Sequence, residues 1–145
     1  MKKIMSICFL MLSLPATAVT ELNVIRVLDQ PYVQSSVLLL IAKPEQYYNR
    51  NIKARGYFSG GLLYLSAELA SHGEYAVNVY DNSEGAILTY GDCNDHWVEV
   101  QGYYFASFNK DRNVTEGRLI ADLVTVQSDS TACWQRTEAF TDFKL

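Results

Sequence analysis

Basic residues are scarce in this chain. Twelve Lys and Arg stand against sixteen Asp and Glu over 145 residues, a formal charge of −4, and nowhere do they form a run. Binding to a phosphate backbone relies on neutralisation by Lys and Arg, so the composition describes a poor general nucleic-acid binder. Histidine is scarcer: His72 and His96 alone, each in an expected connection, where a solvated imidazole is the ordinary role. No G-x-S-x-G, H-E-x-x-H, phosphate loop or G-x-G-x-x-G occurs, so the expectation is a protein without catalytic activity, cofactor or metal. Three cysteines are too few for a disulfide-dense scaffold, and 49% hydrophobic with 19% charged residues excludes a disordered tail or a collagenous repeat. The length suits one domain, since two would each bury too little apolar surface.

What is present begins with an export signal. Lys2 and Lys3 precede an apolar run, Ile4 to Leu14, and Ala16-Thr17-Ala18 forms an A-x-A cleavage site. The run is too short to cross a hydrocarbon core of roughly 30 Å as a helix. Cys8 lies mid-run without a lipoprotein box and is expected to leave with the signal. Cleavage after Ala18 removes two lysines, leaving ten basic against sixteen acidic residues, net −6, in Val19–Leu145. No other stretch is long enough to span a membrane, and the expected location is periplasmic or secreted. Cys93 and Cys133 then remain in an oxidising compartment, where an even count reads as a disulfide. Closing about forty residues would contribute roughly 4 kcal/mol in the chain-entropy account. Cys93-Asn94-Asp95-His96 also invites a metal or a Cys–His nucleophile reading, but it has neither a full ligand set nor a recognisable context.

Along Val19–Leu145, residues Glu21 to Tyr32 carry a mixed pattern that Pro31 ends. Ser35 and Ser36 offer an N-cap to a short helix, Val37–Ala42, which Pro44 terminates. From Ile52 the period becomes two: Ile52, Ala54, Gly56 and Phe58 on one face, Lys53, Arg55 and Tyr57 on the other. Ser59-Gly60-Gly61 turns into a second strand, Leu62–Ser66. A short helical connection, Ala67–His72, leads to a third at Tyr75–Tyr80, then turn chemistry at Asp81–Gly85. The fourth strand sets Val98, Val100 and Gly102 against Trp97, Glu99, Gln101 and Tyr103. Asn109–Gly117 reads as a polar loop and Arg118–Val126 as the fifth strand. Five strands with a short N-terminal helix imply a small, mainly antiparallel β-barrel with a core of about 36–127 and a polar tail, 128–145, that Trp134 and Phe140 could anchor. Gly56 and Gly102 fall mid-strand, where barrel closure needs bends.

Several of these stretches carry a resemblance. Pro31-Tyr32-Val33, Pro44-Glu45-x-Tyr47, Asn51-Ile52-Lys53-Ala54-Arg55-Gly56-Tyr57, Leu63-Tyr64-Leu65-Ser66 and Val98-Glu99-Val100-Gln101-Gly102-Tyr103-Tyr104 resemble the pattern of small secreted bacterial proteins of the oligonucleotide/oligosaccharide-binding (OB) type. The resemblance covers roughly residues 31–127. It implies an OB-like fold of unassigned activity, whose usual binding surface crosses strands two and three with strand one beside it.

The aromatics are the functional lead, with ten Tyr and two Trp. Lys53, Arg55, Tyr57, Tyr64, Trp97 and Tyr103 are the candidate ligand-binding residues: flat rings beside cations, suited to a glycan, an anionic ligand or an acidic patch on a partner protein. The competing reading makes these rings cross-strand pairs or cover for the helix and tail. Asp122 interrupts the apolar face of Ile120, Val124 and Val126, either as an outward residue or as a ligand-facing acid. Asp111, Asn113 and Glu116 lack the spacing of a calcium loop. The expected function is an exported binding module. An inhibitor or immunity-type protein that recognises one partner is the alternative, and a small exported hydrolase comes behind both. Intact-mass measurement of the exported protein should give an unmodified chain beginning at Val19; an acylated mass that retains Cys8 would contradict the export reading.

Overall fold

A computed structural model describes residues 23–26, 28–81, 88, 91–138 and 142–144. The signal segment, Cys8, Phe140 and most of the turn after Asp81 lie outside the described residues. The structure is mainly β, and its sheet closes on itself as an uneven ring.

The strands are β1 (Asn23–Ile25), β2 (Val33–Ser36), β3 (Arg50–Ser59), β4 (Leu62–Tyr64), β5 (Ala76–Tyr80), β6 (His96–Asn109), β7 (Val114–Val126), β8 (Ala132–Gln135) and β9 (Asp142–Lys144). β3 to β7 form the ring in the order β3-β4-β5-β7-β6 and back to β3. Every pairing in it is antiparallel except β5 with β7. β2 adds parallel to β3, β8 adds antiparallel to β7, and β1 pairs β9 in a separate two-stranded sheet.

The helices form where the sequence supplies caps. In α1 (Val37–Ala42) Ser36 Oγ accepts from the Leu39 N–H, and in α2 (Ala67–His72) Ser66 Oγ accepts from the Leu69 N–H. Neither helix is long and apolar enough to cross a membrane. α1 turns Val37 and Leu40 inward, and the buried Tyr104 hydroxyl donates to the Leu40 carbonyl at 2.9 Å. The inward residues of the ring, among them Ile52, Ala54, Phe58, Leu63, Val77, Val79, Val98, Val100, Leu119, Ala121 and Val124, make one core with α1.

The β3–β4 turn is tight because Gly60 and Gly61 both take positive φ, 59° and 82°, the geometry that a two-residue hairpin requires. The mid-strand glycines serve close approach. A Cβ at Gly56 would lie 2.5 Å from the Tyr64 carbonyl oxygen, and one at Gly102 would collide with the Ile120 carbonyl.

Four expectations need correction. Seven strands share the main sheet, not five, because β2 and β8 fill edges of β3 and β7 that the ring leaves open. The region after 127 is not simply a polar tail. β8 joins the sheet, which is the departure, while the Cys93–Cys133 bridge and the packing of Trp134 on the core are as expected. The expected loop Asn109–Gly117 shrinks to residues 110–113. Asn109 Oδ1 accepts from the Asp111 and Arg112 N–H groups and closes a short turn, and the polar residues Thr115 and Glu116 after it belong to β7. Tyr64 and Tyr103, expected as exposed site residues, are only 5% and 2% exposed. Tyr103 keeps its outward face, but a second apolar cluster with Tyr80, Phe105 and Ile120 covers it.

Burial raises the phenol pKa of Tyr104, Tyr103, Tyr80 and Tyr48 above the ordinary value. Such a group keeps its proton in the folded state after the unfolded chain has lost it. Its stabilisation is therefore complete below the ordinary tyrosine pKa, about 10, and is lost as pH rises beyond it. Denaturant midpoints should stay level to about pH 9 and fall above about pH 10. Tyr104→Phe should make that fall shallower while costing about 1 kcal/mol at neutral pH. A midpoint indifferent to alkali would contradict this.

Candidate functional site

The outer faces of β3, β6 and β7 form one stripe whose composition follows from register. Across it run Asn51–Tyr103–Ile120, Lys53–Gln101–Leu123, Arg55–Glu99–Thr125 and, at the end, Tyr57–Trp97. Of the six residues the sequence singled out, Lys53, Arg55, Tyr57 and Trp97 therefore come together on strands β3 and β6. Tyr64, opposite Tyr57 on β4, is buried, and Tyr103 lies beneath the far end. The assembled patch lies between the first and fourth strands of the ring, not on the face centred on the second and third.

At its open end Trp97 is 45% exposed and meets Tyr57 edge to face, with ring centroids 6.2 Å apart. Arg55 Nε donates to Glu99 at 2.9 Å, and this exposed pair borders a cleft of about 260 Å³ lined also by Thr125, Val126, Gln127 and Ser130. Lys53 sits with its ammonium 5.9 Å from the centre of the Tyr32 ring. Counting Lys53, Arg55 and Glu99, the patch carries a net charge of +1.

The other end is closed around Asp122, which the sequence singled out, by Arg26 and Arg136, which it did not. β6 and β7 lose register between Gln101 and Gly102: Leu123 faces Gln101 and Ala121 faces Gly102, so Asp122 is the extra residue of a β-bulge. Its carboxylate receives both terminal nitrogens of Arg26, at 2.8 and 2.5 Å, and the Tyr32 hydroxyl at 2.9 Å. Arg136 approaches to 3.6 Å, and its N–H donates to the Asp122 carbonyl. Arg26 also donates through Nε to the buried Asn51 and lies over the Tyr103 ring. Burial works against the Arg26 cation, but the bond and charge of Asp122 outweigh it and hold its pKa above the usual guanidinium value. Arg136 is farther from the carboxylate, so burial prevails and lowers its pKa. Burial first, and then the Asp122 charge, raises the Tyr32 phenol.

The interrupted apolar face at Asp122 was the one signal of this cluster in the sequence. Arg26 and Asp122 are 96 residues apart, and nothing local announces their pairing. Cys93 is bridged to Cys133, so it offers no thiol nucleophile. His96 is exposed, with Nδ1 2.7 Å from the Asn94 carbonyl oxygen. Among the described residues no three His, Cys, Asp or Glu side chains gather as a metal set. No family model, curated protein or solved structure matches this chain.

The two ion pairs on the stripe should behave oppositely. Arg26 is almost wholly buried, so Asp122→Asn should cost about 3 kcal/mol. The exposed Arg55–Glu99 pair should lose no more than about 0.5 kcal/mol in Glu99→Gln. Denaturation of both variants checks this. Equal tolerance of the two changes would mean that Asp122 is not structural.

Proposed function

We propose that this protein is an exported, OB-like binding module that performs no chemistry and takes a sugar-like ligand or a partner surface on the open end of the β3–β6–β7 stripe. The observation that carries the reading is the exposed Trp97 against the half-buried Tyr57, beside Arg55, Glu99 and Lys53. Flat rings stack on sugar rings and on partner side chains, while the polar groups next to them fix orientation. Because Glu99 offsets Arg55, the patch suits a neutral or weakly acidic ligand better than a polyanion.

The ring order β3-β4-β5-β7-β6, with its single parallel contact, supports the OB-like reading, as does the long-range disulfide for an oxidising destination. The inhibitor or immunity-type alternative uses the same surface against one protein.

Binding to a glycan array and capture from an envelope extract test the reading. Tyr57→Ala, Trp97→Ala and Arg55→Ala should each weaken the interaction by about 1–2 kcal/mol, the size of a stacking or charge-assisted contact, while the proteins stay folded. Capture of one dominant protein through this face favours the inhibitor form. Undiminished binding by all three variants would put the site elsewhere.

A further inference from the structure

A second opening lies away from that stripe, where the ring splays. β5 and β7 pair only at Asn78–Arg118, Val79–Leu119 and Tyr80–Ile120. Before these pairs the strands diverge, so Val114 to Gly117 have β6 on one edge and no strand partner on the other among the described residues. α1 lies across the fork, leaving a cavity of about 450 Å³. Gly117 keeps the wall thin, since any Cβ there would collide with the Tyr104 hydroxyl.

The chemistry of this cavity is unbalanced. Glu116 is occupied, accepting from Asn109 Nδ2 at 3.2 Å and Arg112 Nη1 at 3.3 Å. Arg118 has no such partner. Its guanidinium is held over the Tyr80 ring at 5.2 Å, no carboxylate among the described residues pairs with it, and its Nε is buried without a hydrogen bond. A guanidinium oriented by a ring and lacking an acceptor is matched by a carboxylate, which takes its fork of donors. Asn109 is likewise occupied through both side-chain atoms, so the lining offers the amide of Asn78 and the hydroxyl of Thr115 beside the apolar Leu40, Ile41 and Val77. We infer that the fork between β5 and β7 binds a small hydroxylated carboxylate, such as a sugar acid, with Arg118 taking the carboxylate and the amide and hydroxyl side chains taking the ligand hydroxyls. This site shares no residue with the open stripe and does not depend on the function proposed for it.

The test is an NMR titration of the purified protein with D-glucuronate and, separately, with D-glucose. Glucuronate should shift the amides of Asn78, Thr115, Gly117 and Arg118 together with the Arg118 Nε–H. Glucose should bind at least roughly tenfold more weakly. Arg118→Gln should lose at least roughly the same factor, with its fold checked by circular dichroism. Should that variant fail to fold, the wild-type shifts and the glucose comparison decide. Equal binding of both sugars, no shifts at the fork, or shifts confined to Arg55, Tyr57 and Trp97 would each overturn the assignment.

Discussion

Ring closure depends on how two long strands divide their edges. β6 takes one whole edge of β3 and of β7, so each has a single remaining edge to share. On β3 that edge goes to β2 over Ile52–Arg55 and to β4 over Tyr57–Ser59. On β7 it goes to β5 over Arg118–Ile120 and to β8 over Leu123–Thr125. The handovers fall at Gly56, between the two partners of β3, and at the Asp122 bulge, between those of β7. At both points the strand must bend away from one neighbour and towards the next, which a regular pleat with ordinary side chains resists. The fork beside Arg118 and the locked carboxylate of Asp122 are both consequences of this division.

The outer stripe shows the same economy of position. Its residues alternate correctly from end to end, yet what they do depends on what lies above them. Near Asn51 and Tyr103 the chain returns as Arg26 and Tyr32, and polar groups there must be paired because water is excluded. Near Tyr57 and Trp97 the chain after β7 borders an open cleft without covering it, so Trp97 and Arg55 stay hydrated and the Arg55–Glu99 pair contributes little to stability. Lys53, beside Tyr32, stands at the junction.

The local grammar of the chain was legible. Ser36 as a cap, Ser59-Gly60-Gly61 as a turn, the alternation of β3 and β6, and the pairing of the two cysteines all follow from chemistry that acts over a few residues or from a simple count. The unread features are long-range. β2 is a four-residue segment soon after Pro31 and becomes a strand only because the edge of β3 is vacant beside it. β8 looked like tail because its environment is supplied by β7 and by a disulfide partner forty residues away. Tyr103 was placed on the correct face and still misjudged, since periodicity reports which way a side chain points and not what later covers it. Arg26 directly follows β1, a three-residue strand whose partner, β9, lies near the opposite end of the chain.

Asp122 shows why an acid in an apolar face is an ambiguous signal. Asp122 has two guanidiniums and a phenol directed at its oxygens and a bulge that aims it at them. Those contacts fasten segments from both ends of the chain onto the ring. A ligand entering there would have to displace Arg26 from a buried, bidentate pair, whereas one approaching Trp97 displaces only water. That difference in cost argues for recognition at the hydrated end of the stripe and for a structural role at the locked end.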